Sequence, residues 1–317
     1  MSSERFVSAM LAAIVLLIVL VPIALPGEAG RSLVSLILVW SIFAIGFDLV
    51  FGVAGMLSFG HAAMFGTGAY ALALLTTRLG WGFLPALAAA GIVGAFVAVL
   101  FSFFALRVSG LFFALLTLAL AQLLFVLAGS KLRDLTGGVD GLPGVPRPEL
   151  WGIDFYDDGN YYYFILAVFV IALVVAAILR SSPYGHALRA VRSNDVRAEQ
   201  IGFDIQRLRQ SAFAISGFYA GVSGALLASL MFYVGPQMLH WSTSGDVVIM
   251  VLLGGMGTLF GPILGVAVFE VLREWLSQVT AHWYGVLGLV FIVATIFAPQ
   301  GFAGLAALLL RRSGDQR

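Results

Sequence analysis

Cysteine is absent from all 317 residues, so the chain can form no disulfide, no thiolate metal site and no cysteine nucleophile. That absence does not locate the protein. Lysine is nearly missing as well: Lys131, following Ser130, is the only one. A P-loop needs a lysine behind its glycines to reach the β- and γ-phosphates, so no such nucleotide site can be built here. HExxH, GxSxG and clustered metal ligands are also missing. Charge of either sign is scarce, at 10% of residues against about 25% in soluble domains. No basic block of the nucleic-acid-binding kind occurs, and a net charge of +1 points to no partner.

What fills the chain is apolar. Hydrophobic residues make up 61% and the mean hydropathy is +1.03, which marks an all-α polytopic membrane protein, a single domain over 1–317 with little outside the bilayer. Apolar runs of helical length lie at 6–25, 32–51, 58–77, 84–106, 111–129, 161–179, 211–233 and 284–310, the last broken near Pro299. The first follows Glu4 and Arg5. It has the length of a span rather than of a signal-peptide core, and no small-x-small cleavage site follows it, so it reads as a membrane helix. Between the last two runs the pattern is less regular. Residues 245–257 are too short to span, and 259–272 continue after GGMGTLFGP. These read as two short helices meeting at a glycine break, giving about ten helices in all.

Loop charge sets the orientation. The 130–160 loop carries Asp134, Asp140, Glu149, Asp154, Asp157 and Asp158 against Lys131, Arg133 and Arg147, so it should face outward. The 180–209 segment carries Arg180, Arg189, Arg192, Arg197, Arg207 and Arg209 and should face inward. One helix separates the two, so the assignments agree. Counting from there puts both termini inside, as Arg311, Arg312 and Arg317 suit.

The 180–209 segment is more than a basic loop in pattern. Ser182 before Pro183 reads as an N-cap with proline at the first helical position, opening a helix to about Arg192. Ser193 can cap a second helix, with Asp195 in its first turn and Gly202 as its stop. Leu188 and Val191 share one face, and Ala198 and Ile201 share another. Two short helices with small apolar faces suit docking on another protein. The plainer alternative is an inner loop made basic by the positive-inside rule, which calls for arginine but not for the acids, caps and apolar positions.

Ionisable groups within spans are costly in lipid and count as candidate functional sites. Asp48 lies near the inner end of the second run, His61 in the first turn of the third, and Asp246 at the start of the short eighth element. Glu270 and Arg273 are spaced to pair, with Glu274 beside them. Most sit near helix ends, where snorkelling or pairing is the alternative. Little charge falls at mid-membrane, which argues against a proton pump with a buried carboxylate relay. Gly52, Gly55, Gly60, Gly66 and Gly68 crowd FGVAGMLSFGHAAMFGTGAY, either for close helix packing or as a thin wall beside a substrate path.

Four stretches carry a resemblance: GVAGMLSFGHAAMFGTGAY, LTGGVDGLPGVP, SPYGHALRAVRSNDVRAEQIGFDIQRLRQSAFAISGFYAGVSGALLA and VLLGGMGTLFGPILGVAVF, in this order from Gly52 to Phe269. The chain resembles the LivM-type permease subunits of bacterial branched-chain amino acid ABC importers. Met64, Thr67 and the loop after Pro148 depart from the common pattern.

The resemblance implies a type II ABC importer permease of about ten helices, with two coupling helices between the sixth and seventh. Tyr184, Gly185, Leu188, Arg189, Arg192, Asp195, Arg197, Glu199 and Gly202 would then serve ATPase coupling. Ser58, His61, Thr67 and Asp48 would lie along the translocation path, and Gly137, Gly138, Asp140 and Gly141 would dock a binding protein. Implied partners are a LivH-type second permease, two cytoplasmic ATPases that hold the ATP, a periplasmic binding protein, membrane lipid and a small solute. The implied location is the bacterial inner membrane, and the chain itself would be a non-catalytic transport subunit with no cofactor. Urea, a short amide or another carboxylate remains an alternative cargo. An ion-coupled secondary transporter is the alternative of another class.

Overall fold

In a bilayer every backbone N–H and C=O must find its partner within the protein, which drives so apolar a chain into helices. The computed structural model describes residues 27–150, 152–280, 282–297 and 301. The run at 6–25 and the expected break near Pro299 lie outside the described residues.

In chain order the helices are α1 (Glu28–Asp48), α2 (His61–Thr77), α3 (Phe83–Ala105), α4 (Leu111–Gly129), the short α5 (Arg133–Thr136) and α6 (Asp158–Ser181). There follow α7 (Pro183–Ser193), α8 (Asp195–Gln200), α9 (Ile205–Leu230), α10 (Trp241–Gly254), α11 (Gly261–Val279) and α12 (Trp283–Phe297). Among the described residues, five helical segments are long and apolar enough to cross a membrane: Gly30–Val53, Phe83–Ala105, Leu111–Gly129, Asp158–Ser181 and Ile205–Leu230. Together with the shorter apolar helices they make a multi-pass membrane protein.

Several boundaries differ from the sequence expectation, each for a local reason. The run 58–77 is helical only from His61, because α1 ends in a π-helical turn, Leu49–Val53, and Gly55 then takes φ +77°. The run 211–233 begins as helix at Ile205, because the Asp204 carboxylate caps it by accepting from Arg207 N at 3.0 Å. Asp246 does not open its element: α10 starts at Trp241, where His240 caps, and Asp246 lies further along it. Two helices do flank a glycine break at 255–260, but only α10 is short, at 14 residues; α11 runs 19.

α9 is the centre of the bundle, packed on α1, α2 and α3. Its glycines make this possible. A Cβ on Gly221 would overlap the Ala90 carbonyl, one on Gly217 would press on Gly94, and one on Gly224 would overlap the Phe65 carbonyl. Small residues thus bring backbones together, as membrane helices do in the absence of a hydrophobic drive between them. Gly68, on α2, meets Gly221 directly. At these positions the glycines serve helix packing.

At one end of the bundle the 130–157 loop is pinned down. Strand β1 (Leu142–Pro143) pairs antiparallel with β4 (Tyr233–Val234), matching Leu142 to Val234 and Pro143 to Tyr233. A second small ribbon pairs β2 (Glu149–Leu150) with β3 (Ile153–Asp154). At the opposite end, α7 and α8 connect α6 to α9.

Candidate functional site

The α7–α8 pair is locally determined by its caps. Ser182 Oγ accepts from Gly185 N at 3.4 Å, with Pro183 at the first helical position. A Cβ on Gly185 would overlap the Leu179 and Arg180 carbonyls, which explains the glycine. The second cap is Asn194, not Ser193: its Oδ1 accepts from Arg197 N at 2.9 Å. Ser193 instead ends α7 and donates to Ala190 O at 2.8 Å. With one residue between the helices, the extended backbone at Asn194 leaves its side chain as the only one placed to cap. Gly202 ends α8 at φ +97°, with Gly202 N bonded to Glu199 O and Phe203 N to Ala198 O, the pairing of a Schellman stop.

The apolar faces turn two ways. Leu188 and Val191 are fully buried against the chain's own bundle. Tyr184 joins them, its hydroxyl 2.9 Å from Ser211 Oγ, and burial raises its pKa above the usual phenol value. Ala198 is buried, but Ile201 does not share its face: it lies past the last turn and is 69% exposed. Val196, 66% exposed, and Phe203 flank it, beside exposed Arg197 and Glu199. Arg189 is exposed and donates to Arg180 O at 3.0 Å. One nitrogen of Arg209 reaches both oxygens of Asp195, at 2.9 and 2.7 Å.

Asp48 is buried, and its carboxylate pairs with Arg180 at the end of α6. Its other oxygen accepts from Gly257 N at 2.8 Å. Arg192, in the last turn of α7, donates to Gly52 O within the π-helical turn. The 52–60 segment, the 255–260 break and the α6–α7 corner therefore meet at one place.

Ser58 and His61 are also buried, and Thr67 is half-buried. His61 Nε2 lies 2.9 Å from Ser216 Oγ, with the rings of Phe47 and Phe213 edge-on at 4.8 and 5.0 Å. The N–H groups around the start of α2 have no helical partner. Hydroxyls take them: Ser58 Oγ accepts from Gly60 N at 3.1 Å, Thr117 Oγ1 from Phe59 N at 3.1 Å and Ser244 Oγ from Ala62 N at 2.7 Å. Two other helices, α4 and α10, thus hold the entry to α2 by its N–H groups, and α9 holds it through Ser216 and His61. Thr67 donates to Met64 O at 3.2 Å.

At the loop end, Gly137, Gly138 and Gly141 all take positive φ, and a Cβ on Gly141 would overlap Val234 O beside the β1–β4 pair. Val139 and Asp140 project outward from this turn. Glu270 and Arg273 pair at 3.5 Å, as their spacing suggests, and Arg273 stacks over the Trp283 ring. Among the described residues, no group of three or more His, Asp or Glu side chains could hold a metal ion.

The family model described as branched-chain amino acid transport system / permease component matches residues 29–295. The chain belongs to this family. Among curated permeases of the family, the chain is 28% identical to the high-affinity branched-chain amino acid transport system permease protein LivM of Salmonella typhimurium, over 94% of this chain and 76% of that one. It is 30% identical to the protein of the same name from Escherichia coli, over 88% of this chain and 72% of that one. The Escherichia coli LivH permease is 24% identical over 84% of this chain and 91% of its own length. No solved structure matches the chain at a significant level.

Some residues that organise this permease were not singled out from sequence. Arg147 counted only as a minority charge in an acidic loop, yet it is 4% exposed and anchors that loop. It donates to the Phe155 and Tyr156 carbonyls at 3.1 Å each, pairs with Asp158 at 2.8 Å, and lies 4.6 Å from the centres of the Tyr161 and Phe232 rings. Thr117 and Ser216 sit in apolar runs as isolated small hydroxyls, and Ser244 is one of three successive hydroxyl residues, so no local pattern marks them.

Proposed function

We propose that the chain is the membrane-spanning, non-catalytic subunit of an ATP-driven importer for branched-chain amino acids, as its likeness to the LivM permeases suggests. It pairs with a LivH-type permease, couples to two cytoplasmic ATPases that bind the ATP, and receives its solute from a periplasmic binding protein. It lies in the bacterial inner membrane with both termini cytoplasmic, the 130–160 loop outside and 180–209 inside, as the loop charges favour.

The observation that carries this reading is the two-faced α7–α8 pair. One apolar face, Leu188 and Val191, anchors the pair to the bundle, while Val196, Ile201 and Phe203 remain uncovered among charged side chains. Such a patch, apolar at its centre and polar at its rim, suits a protein partner. Arg189, Asp195, Arg197 and Glu199 lie around it as coupling contacts, with Tyr184, Gly185 and Leu188 packed inward, Arg192 bonded to the π-helical turn and Gly202 ending the pair. Thr67, Ser58 and His61 stay closed in this conformation and line the path when the bundle opens. The Gly137–Gly141 turn offers the outer docking surface.

Leucine uptake into vesicles holding the assembled transporter tests this. Wild type takes up leucine only with ATP inside and regardless of ionophores, whereas the Arg189→Glu, Glu199→Arg variant loses uptake. Unchanged ATP-dependent uptake by the variant removes the coupling role. Ionophore-sensitive uptake without ATP supports a secondary transporter instead.

A further inference from the structure

The helix interruption at 255–260 lies against the π-helical turn that opens the interruption at 54–60, at the α7 end of the bundle. The π-helical turn at Leu49–Val53 prepares their meeting. In an α-helix Gly52 O would accept from Met56 N, but here Met56 N bonds to Val50 O at 2.9 Å, and Ala54 N to Leu49 O at 3.1 Å. Gly52 O is thereby released to another donor. π-Helical turns recur where a helix must expose backbone for use. Arg192 supplies the donor, and its stem lies on Gly55, where a Cβ would crowd it. Asp48, one residue before the turn, takes the Gly257 N–H of the second interruption and the Arg180 guanidinium. A Cβ on Gly52 would overlap both Asp48 and Gly257 N, so only glycine lets the two segments close.

Each interruption is therefore tied to the α6–α7 corner by one arginine: the first by Arg192 directly, the second by Arg180 through Asp48. Removing one partner of a buried ion pair leaves an uncompensated charge, so Asp48 and Arg180 are not free to part independently. The first interruption leads straight into His61 and the hydroxyl-held start of α2, and the second separates α10 from α11. We propose that Asp48, Arg180 and Arg192 are positioning residues that transmit movement of α7–α8 to both helix interruptions. On this assignment Asp48 touches no solute. The transport arm of this inference rests on the importer reading above; its mechanical arm does not.

Hydrogen exchange on the purified full-length chain in nanodiscs tests the mechanical arm. Asp48→Asn is expected to speed exchange about tenfold or more at 255–260 and across 183–200 together, because local openings set exchange. A rise confined to the residues around position 48 overturns the proposal. Arg192→Gln keeps a donor, lies on an exposed helix face and should fold in any case; it is expected to speed exchange at 52–60. No change there also overturns it.

In the transporter assembled with its ATPases, Asp48→Asn and Arg180→Gln should keep ATP hydrolysis and lose about tenfold or more in solute moved per ATP, with Arg180→Lys intermediate. A lower yield of complex with an unchanged ratio of uptake to hydrolysis means the residues only hold the fold, and the proposal fails. If the wild-type complex shows no ATP-dependent uptake, the importer reading fails while the exchange result still decides the junction.

Discussion

Arg209 holds Asp195 across the short link between α8 and α9, one guanidinium nitrogen 2.7 and 2.9 Å from the two carboxylate oxygens. Both side chains keep partial solvent contact, so the pair contributes only about 0.2–1 kcal/mol to stability. Its geometric effect is larger, because it fixes the angle at which α8 leaves α9. Arg209→Ala should lower the melting temperature little while cutting ATP-dependent uptake severalfold, read by thermal unfolding and vesicle uptake on the same preparation.

Ile201→Asp and Val196→Asp should leave the chain folded, since exposed surface changes usually stay within about 0.5 kcal/mol. Each should nevertheless abolish co-purification with the ATPases. Retention of the ATPases by both variants would show that the uncovered apolar patch is not their seat.

Tightly packed glycines divide from those with open space around them. Gly221→Ala and Gly224→Ala place a methyl against backbone and should each cost about 1–3 kcal/mol, seen as a lower midpoint in detergent unfolding. Gly245→Ala, in α10 with open space around it, should be neutral or stabilise by up to about 1 kcal/mol. Equal effects at the three positions would mean that close packing is not what these glycines supply.

Arg147→Ala should free the 142–157 loop. The loss of charge-assisted bonds to two carbonyls and of two ring contacts suggests about 2–3 kcal/mol. Arg147→Lys should restore little, because an ammonium cannot stack its flat face on Tyr161 and Phe232. Limited proteolysis should cut both variants within this loop at protease levels that leave the wild type whole.

Ser244→Ala removes the acceptor of Ala62 N in a site closed to water. An orphaned buried donor costs about 1–3 kcal/mol, and the unfolding midpoint should fall accordingly. Ser244→Thr, which keeps the hydroxyl, should recover part of the loss.

Much of this architecture was legible because it depends on short-range signals. Ser182–Pro183 and Gly202 announced the ends of the α7–α8 pair through backbone chemistry that needs no tertiary partner. Asn194 was passed over for Ser193 because both residues are good caps, and only the backbone path decides which one stands between the helices. Helical spacing puts Ile201 on one face with Ala198, and that spacing ceases to hold beyond the last turn. Glu270 and Arg273 were read as a pair correctly, being one turn apart. Asp48 and Arg180 were not, since 132 residues separate them and no periodicity links them. Arg147 escaped for the same reason. In an apolar chain, long-range polar contacts are few and specific, and nothing in local composition encodes them.

The pairing of β1 with β4 has one further mechanical result. β4 follows closely on α9, and α9 begins beside α8, so a single rod of 26 residues, about 39 Å long, joins the strand-pinned loop to the α7–α8 pair. A displacement of the Gly137–Gly141 turn passes through the β1–β4 pair to that rod, and the bonds of Ser216 to His61 and of Gln210 to Ser102 carry it on to α2 and α3. The two ends of the bundle are thus linked by a single continuous piece of backbone.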